Sequence, residues 1–469
     1  MKIPAAATML LLALIGPVPA QAQISNFQHV VVIVQENRTP DNLFQGLCGP
    51  NGTLCPTPYD IQNFGIDKKG NNIPLTQEPL GYSWDPDHSH PGFVNQCALN
   101  PNTNVCGMNG LRSGNCNHSD PTKDRCSFEY VNPADVLPYT TMAQQYGWAN
   151  YMFQTNQGPS FLAHQFIFGG TSAPNAGDDP LGIYASENTK GGTGCAAGPG
   201  ATVQLIRPPG VEKKGDTIFP CFHHNTIPDI LPSGITWRYY SSGAGHIWTA
   251  PNAIDTICGA KDGKCQGQEW VNNVDVNPQH VLNDIGNCSL RGVTWVIPTG
   301  KNSDHPGKDQ NGGPSWVASI VDALGNSWTN SNQKCDYWGS HNSNDTTAIF
   351  ITWDDWGGFY DHEPPTILPQ PEGDYQYGFR VPLVVISAYT PAGYISNYRY
   401  DFGSILRFIE QNFGVNEGAL TFADQRATYD LTDFFNLQQS PRQFNTIRAP
   451  LGLKYFLEDK DPPTDPDDY

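Results

Sequence analysis

Carboxylate and amide side chains follow two apolar, β-branched runs of the sequence. Glu36 and Asn37 come just after one run, and Asp354 and Asp355 come just after another. Ligands of open α/β sheets bind beyond the carboxyl ends of strands, so Glu36 and Asn37 lie where a metal or a substrate would bind. Adjacent carboxylates repel each other unless a cation or a proton lies between them, and Asp354-Asp355 therefore predicts hard-metal ligation.

Both segments also have a purely structural interpretation. Glu36 could cap a turn and pair with Arg38, and the sequence does not choose between that and a functional role. The two aspartates could form a surface turn that bends at Gly357-Gly358. Aromatic residues on both sides of the aspartates favour the metal interpretation, and the two glycines would let the backbone pass close to another segment.

Ser160 is a candidate nucleophile. It follows Gly158-Pro159, and proline fits a helix start, where free backbone N–H groups and the positive end of the helix dipole would hold an anion. A serine at this position is also a common N-cap. His164 lies one helical turn later on the same face, so it could reach the site or make a hydrogen bond in the core.

Three further histidines, His305, His88 and His90, have a sequence context that suggests chemistry. His305 follows the apolar run 292–297, and this position suits a donor to phosphate or a general acid to the leaving oxygen. His88 and His90 form a His-x-His pair within Asp85-Pro-Asp-His-Ser-His. Such a pair has a common metal spacing, but a loop pair without a third ligand nearby is more often plain surface.

The elements that position these residues alternate between strands and helices, which predicts a three-layer α/β/α sandwich with a mostly parallel central sheet. Short β-branched runs without helical periodicity predict strands buried on both faces of a parallel sheet, at 29–34, 234–240, 292–297, 348–352 and 381–386. Apolar residues spaced by three or four predict helices at 135–146, 160–168, 226–231, 315–324 and 402–413.

Composition excludes several classes of protein. The chain has 469 residues with 38% apolar and 11% aromatic side chains, enough for a packed globular core. Its net charge of −19 argues against a nucleic-acid partner, because phosphate backbones recruit basic grooves. We expect one large domain at 23–457, with disulfide-tied loop insertions at about 48–126 and 173–214 and a solvated, mobile acidic tail at 458–469.

The first 22 residues predict a signal peptide, with a short apolar core and a small-residue cleavage site after Ala22. No later segment is apolar enough to span a membrane. The 12 cysteines are an even number and most simply form disulfides in an oxidising compartment. Close spacing suggests local bridges within 48/55, 97/106, 116/126 and 258/265. The expected location is secreted or periplasmic, and the oligomeric state is not predicted.

Taken together, the motifs resemble the phosphoesterase family of bacterial phospholipases C and secreted acid phosphatases, within the alkaline phosphatase superfamily. The matching segments are Glu36-Asn37-Arg38, Gly158-Pro159-Ser160, Ser303-Asp304-His305-Pro306, the run 352–362 and the run 378–387. They occur in the family order and span most of the chain.

The resemblance implies a mechanism and a set of site residues. Ser160 would attack phosphorus and form a phosphoseryl enzyme that water later hydrolyses, while His88 and His305 would line the phosphate and help the leaving group depart. A divalent cation, either calcium, zinc or magnesium, would activate the serine and neutralise charge. Its ligands would be Glu36, Asn37, Asp354 and Asp355.

Two hypotheses of function follow. The first is a secreted, metal-dependent phosphoesterase that hydrolyses a phospholipid or a small phosphate ester through Ser160. The alternative is a non-catalytic, disulfide-stapled secreted protein that uses the same metal site to bind phosphorylated ligands.

Overall fold

An eight-stranded sheet forms the centre of the molecule. The computed structural model describes residues 25–48, 55, 58–82, 84–112, 127–187, 192–307, 312–341, 345–366 and 377–464. The strands of the sheet are, in chain order, β1 His29–Gln35, β2 Gly147–Phe153, β3 Trp237–Tyr240, β4 Val274–Asp275, β5 Val293–Val296, β6 Thr347–Trp353, β7 Leu383–Ile386 and β8 Tyr394–Asp401.

The sheet is mostly parallel, as the sequence predicts. Its strand order is β4-β3-β5-β1-β6-β7-β2-β8, and only β7 runs antiparallel to its two neighbours. All five predicted strands are present. The prediction of a parallel strand at 381–386 is wrong in direction, because an apolar run indicates burial on both faces and does not indicate which way the strand runs.

β1 and β6 lie side by side and in parallel at the middle of the sheet. Their register pairs Gln35 with Trp353, the last residue of each strand. The residues that follow, Glu36 and Asp354, therefore leave the sheet at the same edge. β5, on the other side of β1, and β2 end at this edge too, since both run in the same direction as β1.

Helices cover both faces of the sheet. They are α1 Pro40–Leu43, α2 His90–Cys97, α3 Leu137–Gln145, α4 Ser160–Gly169, α5 Ile227–Ile230, α6 Asp255–Cys258, α7 Gln268–Asn273, α8 His280–Gly286, α9 Gly313–Gly325, α10 Ser327–Asn330, α11 Phe402–Asn412, α12 Ala423–Arg426 and α13 Leu453–Glu458. Short 3₁₀ helices occur at Gln45–Cys48, Asp179–Leu181, Ala250–Ala253, Gly300–Asn302 and Thr432–Phe434.

The side chains of β6 show that these helices form two layers. Phe350 packs against Phe408 of α11 with ring centroids 4.9 Å apart, and Trp353 packs against Tyr139 of α3 at 5.0 Å. Residues three apart on a strand point to opposite faces, so α11 and α3 lie on opposite sides of the sheet. α4 packs beside α11, and α9 packs beside α3. The α/β/α sandwich is confirmed.

The two predicted loop insertions contain regular structure. The first holds α2 and short strands at Phe64–Ile66, Asn72–Pro74, Thr76–Glu78, Leu99–Asn100 and Val105–Cys106, and Glu129–Val131 follows it. In the second, the strands Tyr184–Ala185, Val203–Arg207 and Val211–Ile218 form a separate antiparallel sheet, so its interpretation as one long loop is wrong. A further hairpin joins Ala260–Lys261 to Lys264–Cys265.

Five disulfides lie within the described part of the chain. Three are local pairs that the spacing predicts, namely Cys48–Cys55, Cys97–Cys106 and Cys258–Cys265. The other two, Cys195–Cys221 and Cys288–Cys335, join segments farther apart. The predicted pair at 116 and 126 lies outside the described residues.

The sequence predicts a signal peptide at the start of the chain and a mobile acidic tail at its end. The predicted signal peptide at 1–22 lies outside the described residues. The described part of the acidic tail does not extend freely into solvent, because Lys301 pairs with Asp459 and Asp461, and the Gly300 N–H donates to the Thr464 carbonyl at 2.7 Å. Among the described residues, no helix is both long and apolar enough to cross a bilayer.

Candidate active site

The tips of β1 and β6 are joined by hydrogen bonds. The Asp354 N–H donates to the Gln35 carbonyl at 3.0 Å, and the Asn37 N–H donates to Asp354 Oδ1 at 3.3 Å. Asn37 has a φ of 31°, in the left-handed region that asparagine tolerates better than most residues. The turn therefore brings Glu36 and Asn37 beside the two aspartates, as the strand ends lead us to expect.

Ser160 faces these carboxylates from α4, which starts shortly after the end of β2. Its Oγ lies 3.4 Å from Glu36 Oε2 and 3.3 Å from Asp355 Oδ2, and the side chain is fully buried. Pro159 precedes the helix, which fits the predicted helix start. One hydroxyl thus contacts acidic side chains from two different strand ends.

Gly357 and Gly358 explain how the segment after the aspartates passes through the site. Both have positive φ, at 63° and 71°. A Cβ on Gly357 would lie 2.1 Å from the Asn37 carbonyl oxygen, and one on Gly358 would lie 2.7 Å from Pro86 Cβ. The close approach that the sequence predicts is therefore with the β1 turn and with the loop that carries His88.

The rings of His88 and His305 lie together on one side of this cluster, with centroids 6.1 Å apart. His88 Nδ1 donates to the Pro86 carbonyl at 2.9 Å, and His305 Nδ1 donates to the Pro306 carbonyl at 2.8 Å. A carbonyl only accepts, so Nδ1 carries a proton in both rings. Nε2 is then the atom of each ring that gains or loses a proton.

Backbone contacts with the β1 tip hold the loop that carries His305. Arg38 Nε donates to the Asp304 carbonyl at 2.8 Å, and the Asp304 N–H donates to Gln35 Oε1 at 3.1 Å. Trp353 Nε1 donates to the Asp304 carboxylate at 3.0 Å. Burial raises the pKa of that carboxyl group to about 7. Arg38 thus orients the segment next to His305.

Three of the four predicted metal ligands are carboxylates, and all four side chains are fully buried. Burial and the neighbouring Asp354 raise the pKa of Asp355 well above its usual value. Within the described ranges, no lysine or arginine forms a salt bridge with either aspartate. The buried atoms Asn37 Oδ1 and Asp354 Oδ2 have no hydrogen-bond partner among the residues that the structure describes. Oxygen atoms in such surroundings fit a divalent cation.

His164 also reaches the cluster. Its Nε2 lies 3.0 Å from Glu36 Oε1 and 4.0 Å from Asp354 Oδ2, and Trp248 packs between its ring and that of His305. Of the two interpretations open from sequence, the structure therefore favours a position at the site. His90 of the His-x-His pair bonds backbone carbonyls of Gln157 and Gly210 instead.

All seven predicted site residues lie in this one region: Glu36, Asn37, His88, Ser160, His305, Asp354 and Asp355. Sequence reasoning missed Glu187, whose Oε2 accepts a hydrogen bond from the Phe161 N–H at 3.0 Å, at the start of α4. The sequence does not point to Glu187, because the segment around it lacks the regular spacing of apolar residues that predicts a helix or a strand. It also lies far from the motifs named above.

Comparison with known proteins identifies the family. The model of the phosphoesterase family matches residues 27–416, which is most of the chain. The chain belongs to the phosphoesterase family. Membership in this family supports hydrolysis of phosphate ester bonds, and a buried serine beside clustered carboxylates agrees with it.

Two curated relatives of this phosphoesterase are bacterial phospholipases C. The chain is 25% identical to a non-hemolytic phospholipase C of Pseudomonas aeruginosa, over 89% of this chain and 59% of that protein. It is also 25% identical to phospholipase C B of Mycobacterium tuberculosis, over 91% of this chain and 81% of that protein. The phosphoesterase thus spans somewhat more than half the length of the Pseudomonas protein.

Among solved structures, a protein in the alkaline phosphatase superfamily from Vibrio parahaemolyticus is similar at 11% identity and a TM-score of 0.31, over 59% of this chain and 60% of that one.

Proposed function

We propose that this phosphoesterase hydrolyses phosphate esters through a covalent phosphoseryl intermediate on Ser160. The observation that carries the proposal is the position of Ser160 Oγ, 3.4 Å from Glu36 Oε2 and 3.3 Å from Asp355 Oδ2. A serine hydroxyl is a weak nucleophile until a base or a cation lowers its pKa, and carboxylates at this distance supply both a proton acceptor and ligands for a cation.

The proposed metal ligands are Glu36, Asn37, Asp354 and Asp355. When bound, a divalent cation would lower the pKa of the serine hydroxyl and neutralise charge on the phosphate. The donor set suits an oxygen-binding cation, and Asn37 Oδ1 and Asp354 Oδ2 are buried oxygens with no hydrogen-bond partner in the described part of the chain.

In the proposed reaction, Ser160 Oγ forms a bond to phosphorus as the bond from phosphorus to the leaving oxygen breaks. The Ser160 proton passes to a neighbouring carboxylate, and the leaving oxygen takes a proton from Nε2 of His305 or His88. Water then attacks the phosphoserine and gives a proton to Nε2 of the same histidine as its oxygen bonds to phosphorus. The bond from phosphorus to Ser160 Oγ breaks, Oγ takes its proton back from the carboxylate, and the phosphate product is released. His88 is 8% exposed and His305 2%, so we expect substrate to approach from the His88 side.

We propose a phosphodiester of phospholipase C type as the substrate, because both relatives described above carry that name. Trp248 packs against His305 and Trp356 packs against His88, so the wall of the site behind these histidines is apolar. A small phosphomonoester is the second candidate, since the sequence motifs also resemble those of secreted acid phosphatases.

We also propose that the protein is secreted or periplasmic. Support comes from the predicted signal peptide at 1–22 and from the five disulfides, which persist in oxidising compartments. N-terminal sequencing of the mature protein should then begin at Gln23. Recovery of Met1 on the exported protein would contradict cleavage.

Turnover of two chromogenic substrates tests the enzymatic proposal. The parent protein should hydrolyse para-nitrophenyl phosphorylcholine, and Ser160→Ala should lose about 10³-fold or more of that rate, because the reaction loses its nucleophile. Ser319→Ala is the control, since this buried serine lies in α9, away from the site residues. Equal rates in Ser160→Ala and the parent would reject the nucleophile.

The pattern of substrates distinguishes the hypotheses. Hydrolysis of para-nitrophenyl phosphate alone would favour the phosphatase over the phospholipase C. Hydrolysis of neither by metal-loaded protein would favour the non-catalytic binding protein. Acid quenching during turnover, followed by peptide mass spectrometry, should find one phosphoryl group on the peptide that contains Ser160. A peptide without it under burst conditions would contradict the covalent intermediate.

A further inference from the structure

The buried histidine on the nucleophile helix faces the proposed cation site directly. His164 lies on α4, four residues after Ser160, so both side chains project from the same face of the helix. Its Nε2 is 3.0 Å from Glu36 Oε1 and 4.0 Å from Asp354 Oδ2. The imidazole therefore contacts acidic residues from both strand ends, and not only one of them.

The three side chains have the geometry of a ligand set. Glu36, His164 and Asp354 each offer one ligand atom, and these atoms lie within 4.8 Å of one another. All three residues are fully buried. Atoms at such separations can share a cation at metal–ligand distances of about 2.0–2.6 Å. Asp354 Oδ2 points into this group and has no hydrogen-bond partner in the described ranges.

We infer that His164 Nε2 is a ligand of the same cation and that this nitrogen makes the site prefer Zn²⁺ to Ca²⁺ or Mg²⁺. The inference rests on the proposed function, because it concerns the metal that the reaction would use. Imidazole suits zinc and other transition metals, whereas carboxylate and carbonyl oxygens suit calcium and magnesium. A site with the four proposed oxygen donors alone would prefer the harder cations.

A structural role for His164 makes a different prediction. If Nε2–H only donates to Glu36, the histidine orients one carboxylate and is not itself a ligand. Removing it would then weaken the binding of every cation by the same factor. A nitrogen ligand, in contrast, contributes to zinc affinity far more than to calcium affinity. The ratio of the two affinities therefore separates a ligand from a positioning residue.

The experiment measures Zn²⁺ and Ca²⁺ binding to metal-free full-length protein by competition with a chromophoric chelator. His164→Ala should lower zinc affinity by about 100-fold or more and calcium affinity by less than about tenfold, because the oxygen ligands remain. His164→Gln is the second variant, since it keeps volume and offers an amide oxygen. It should lose zinc affinity and retain calcium affinity. Thermal unfolding of both variants checks that they are folded.

Pulsed electron paramagnetic resonance with Cu²⁺ as the probe adds a direct readout. An imidazole ligand gives echo modulation from its remote nitrogen, and we expect this modulation to disappear in His164→Gln and to remain in His88→Gln. Equal losses of zinc and calcium affinity, or modulation that persists in His164→Gln, would overturn the inference. A parent protein that binds neither cation would instead contradict the proposed function.

Discussion

Two buried acidic clusters lie a few residues apart on the same two segments of the chain, and they differ in what neutralises them. We call the first the metal-site cluster, formed by Glu36, Asp354 and Asp355. We call the second the ionic network, formed by Asp41, Asp60, Asp361, His362 and Arg380. Each cluster contains three carboxylates, but the network also contains an arginine and a histidine within hydrogen-bond distance.

Arg380 lies at the centre of the ionic network. Its guanidinium donates to both carboxylate oxygens of Asp361, at 2.9 and 3.0 Å, and to Asp41 Oδ1 at 3.3 Å. His362 bridges Asp41 at 2.7 Å and Asp60 at 3.1 Å. Burial opposes protonation of His362, but these two aspartates raise its pKa to about 10. Every charge in the network has a partner of opposite sign.

Within the described residues, no arginine or lysine forms a salt bridge with Asp354 or Asp355, and the imidazoles that interact with the metal-site cluster include those of His164 and His88. The salt bridges that the structure shows for Asp354 and Glu36 are with His164, and the pKa of Asp355 is raised by burial and by Asp354. Buried carboxylates without compensation destabilise the fold, so a protein keeps them where they serve a purpose. The comparison teaches that burial of acidic residues alone does not mark a site, whereas buried carboxylates without an arginine or lysine partner in the described part of the chain are candidates for one.

The same substitution in the two clusters should have opposite effects on stability. Asp354→Asn should lower bound metal and cost about 10³-fold in activity, because it removes a proposed ligand worth several kcal/mol in the transition state. In metal-free protein the same substitution should stabilise the fold, because Asp355 loses its negatively charged neighbour. The free energy of unfolding should rise by about 1.4 kcal/mol for each unit by which the pKa of Asp355 falls. Elemental analysis and denaturant unfolding measure both.

The control for Asp354→Asn is Asp361→Asn, which removes a compensated carboxylate. It should destabilise the protein with or without metal, because Arg380 loses its bidentate partner. If Asp354→Asn destabilises the metal-free protein as much as Asp361→Asn does, the metal-site cluster is compensated after all and the comparison fails.

Removal of the central cation tests the network itself. Arg380→Gln should lower the free energy of unfolding by about 3–5 kcal/mol, the usual cost of breaking a buried ion pair from one side. Arg399→Gln is the matched control, because the side chain of Arg399 is 40% exposed and pairs with Glu363. Its loss should cost less than about 1 kcal/mol. Similar losses in the two variants, measured by urea unfolding, would show that the network does not stabilise the fold.

Strand ends explain how much of the site the sequence could predict. β1 and β6 are β-branched runs that end in carboxylates, so both the strands and their chemistry are visible in the chain. β2, Gly147–Phe153, and β8, Tyr394–Asp401, were missed because they contain few β-branched residues and mix polar with aromatic ones. Yet β2 leads to Ser160, so the strand that positions the proposed nucleophile is not predicted from sequence.

The ionic network could not be predicted. Asp41, Asp60, Asp361 and Arg380 are far apart in sequence, and their association depends on how the loop at 58–62 folds against the sheet. The sequence shows where charged residues occur along the chain, but it does not show which of them form pairs. Residue spacing does not bring His88 to the site either, and only the family resemblance implies its place there. Its loop is positioned by the close approach of Gly358 to Pro86.

The proposed role of His305 as a general acid predicts a loss that depends on the leaving group. His305→Asn should lower kcat by about 10²-fold for a choline phosphodiester with an alkyl leaving group, which needs a proton to depart. With para-nitrophenyl phosphorylcholine the loss should be smaller, because nitrophenolate departs without protonation. His341→Asn is the control, since His341 is exposed, pairs with Asp336 and precedes the start of β6, at the opposite end of that strand from Asp354. Equal losses on both substrates would indicate that His305 binds phosphate and does not transfer a proton.

The smallest predicted effect is a pH dependence that belongs to the ionic network alone. The pKa of His362 rises from 6.5 to about 10 on folding, so the folded protein binds this proton more tightly than the unfolded chain does. The resulting stabilisation is complete below about pH 6.5 and is lost as the pH rises through about 10. In metal-free protein, His362→Gln should therefore remove a pH dependence of the free energy of unfolding, with a slope of up to about 1.4 kcal/mol per pH unit between about pH 8 and about pH 9.

The exposed His223, paired with Asp255, serves as the control, and His223→Gln should keep the parent's slope. An unchanged slope in His362→Gln would mean that His362 does not carry the compensating charge, and the contrast between the two clusters would then depend on Arg380 alone.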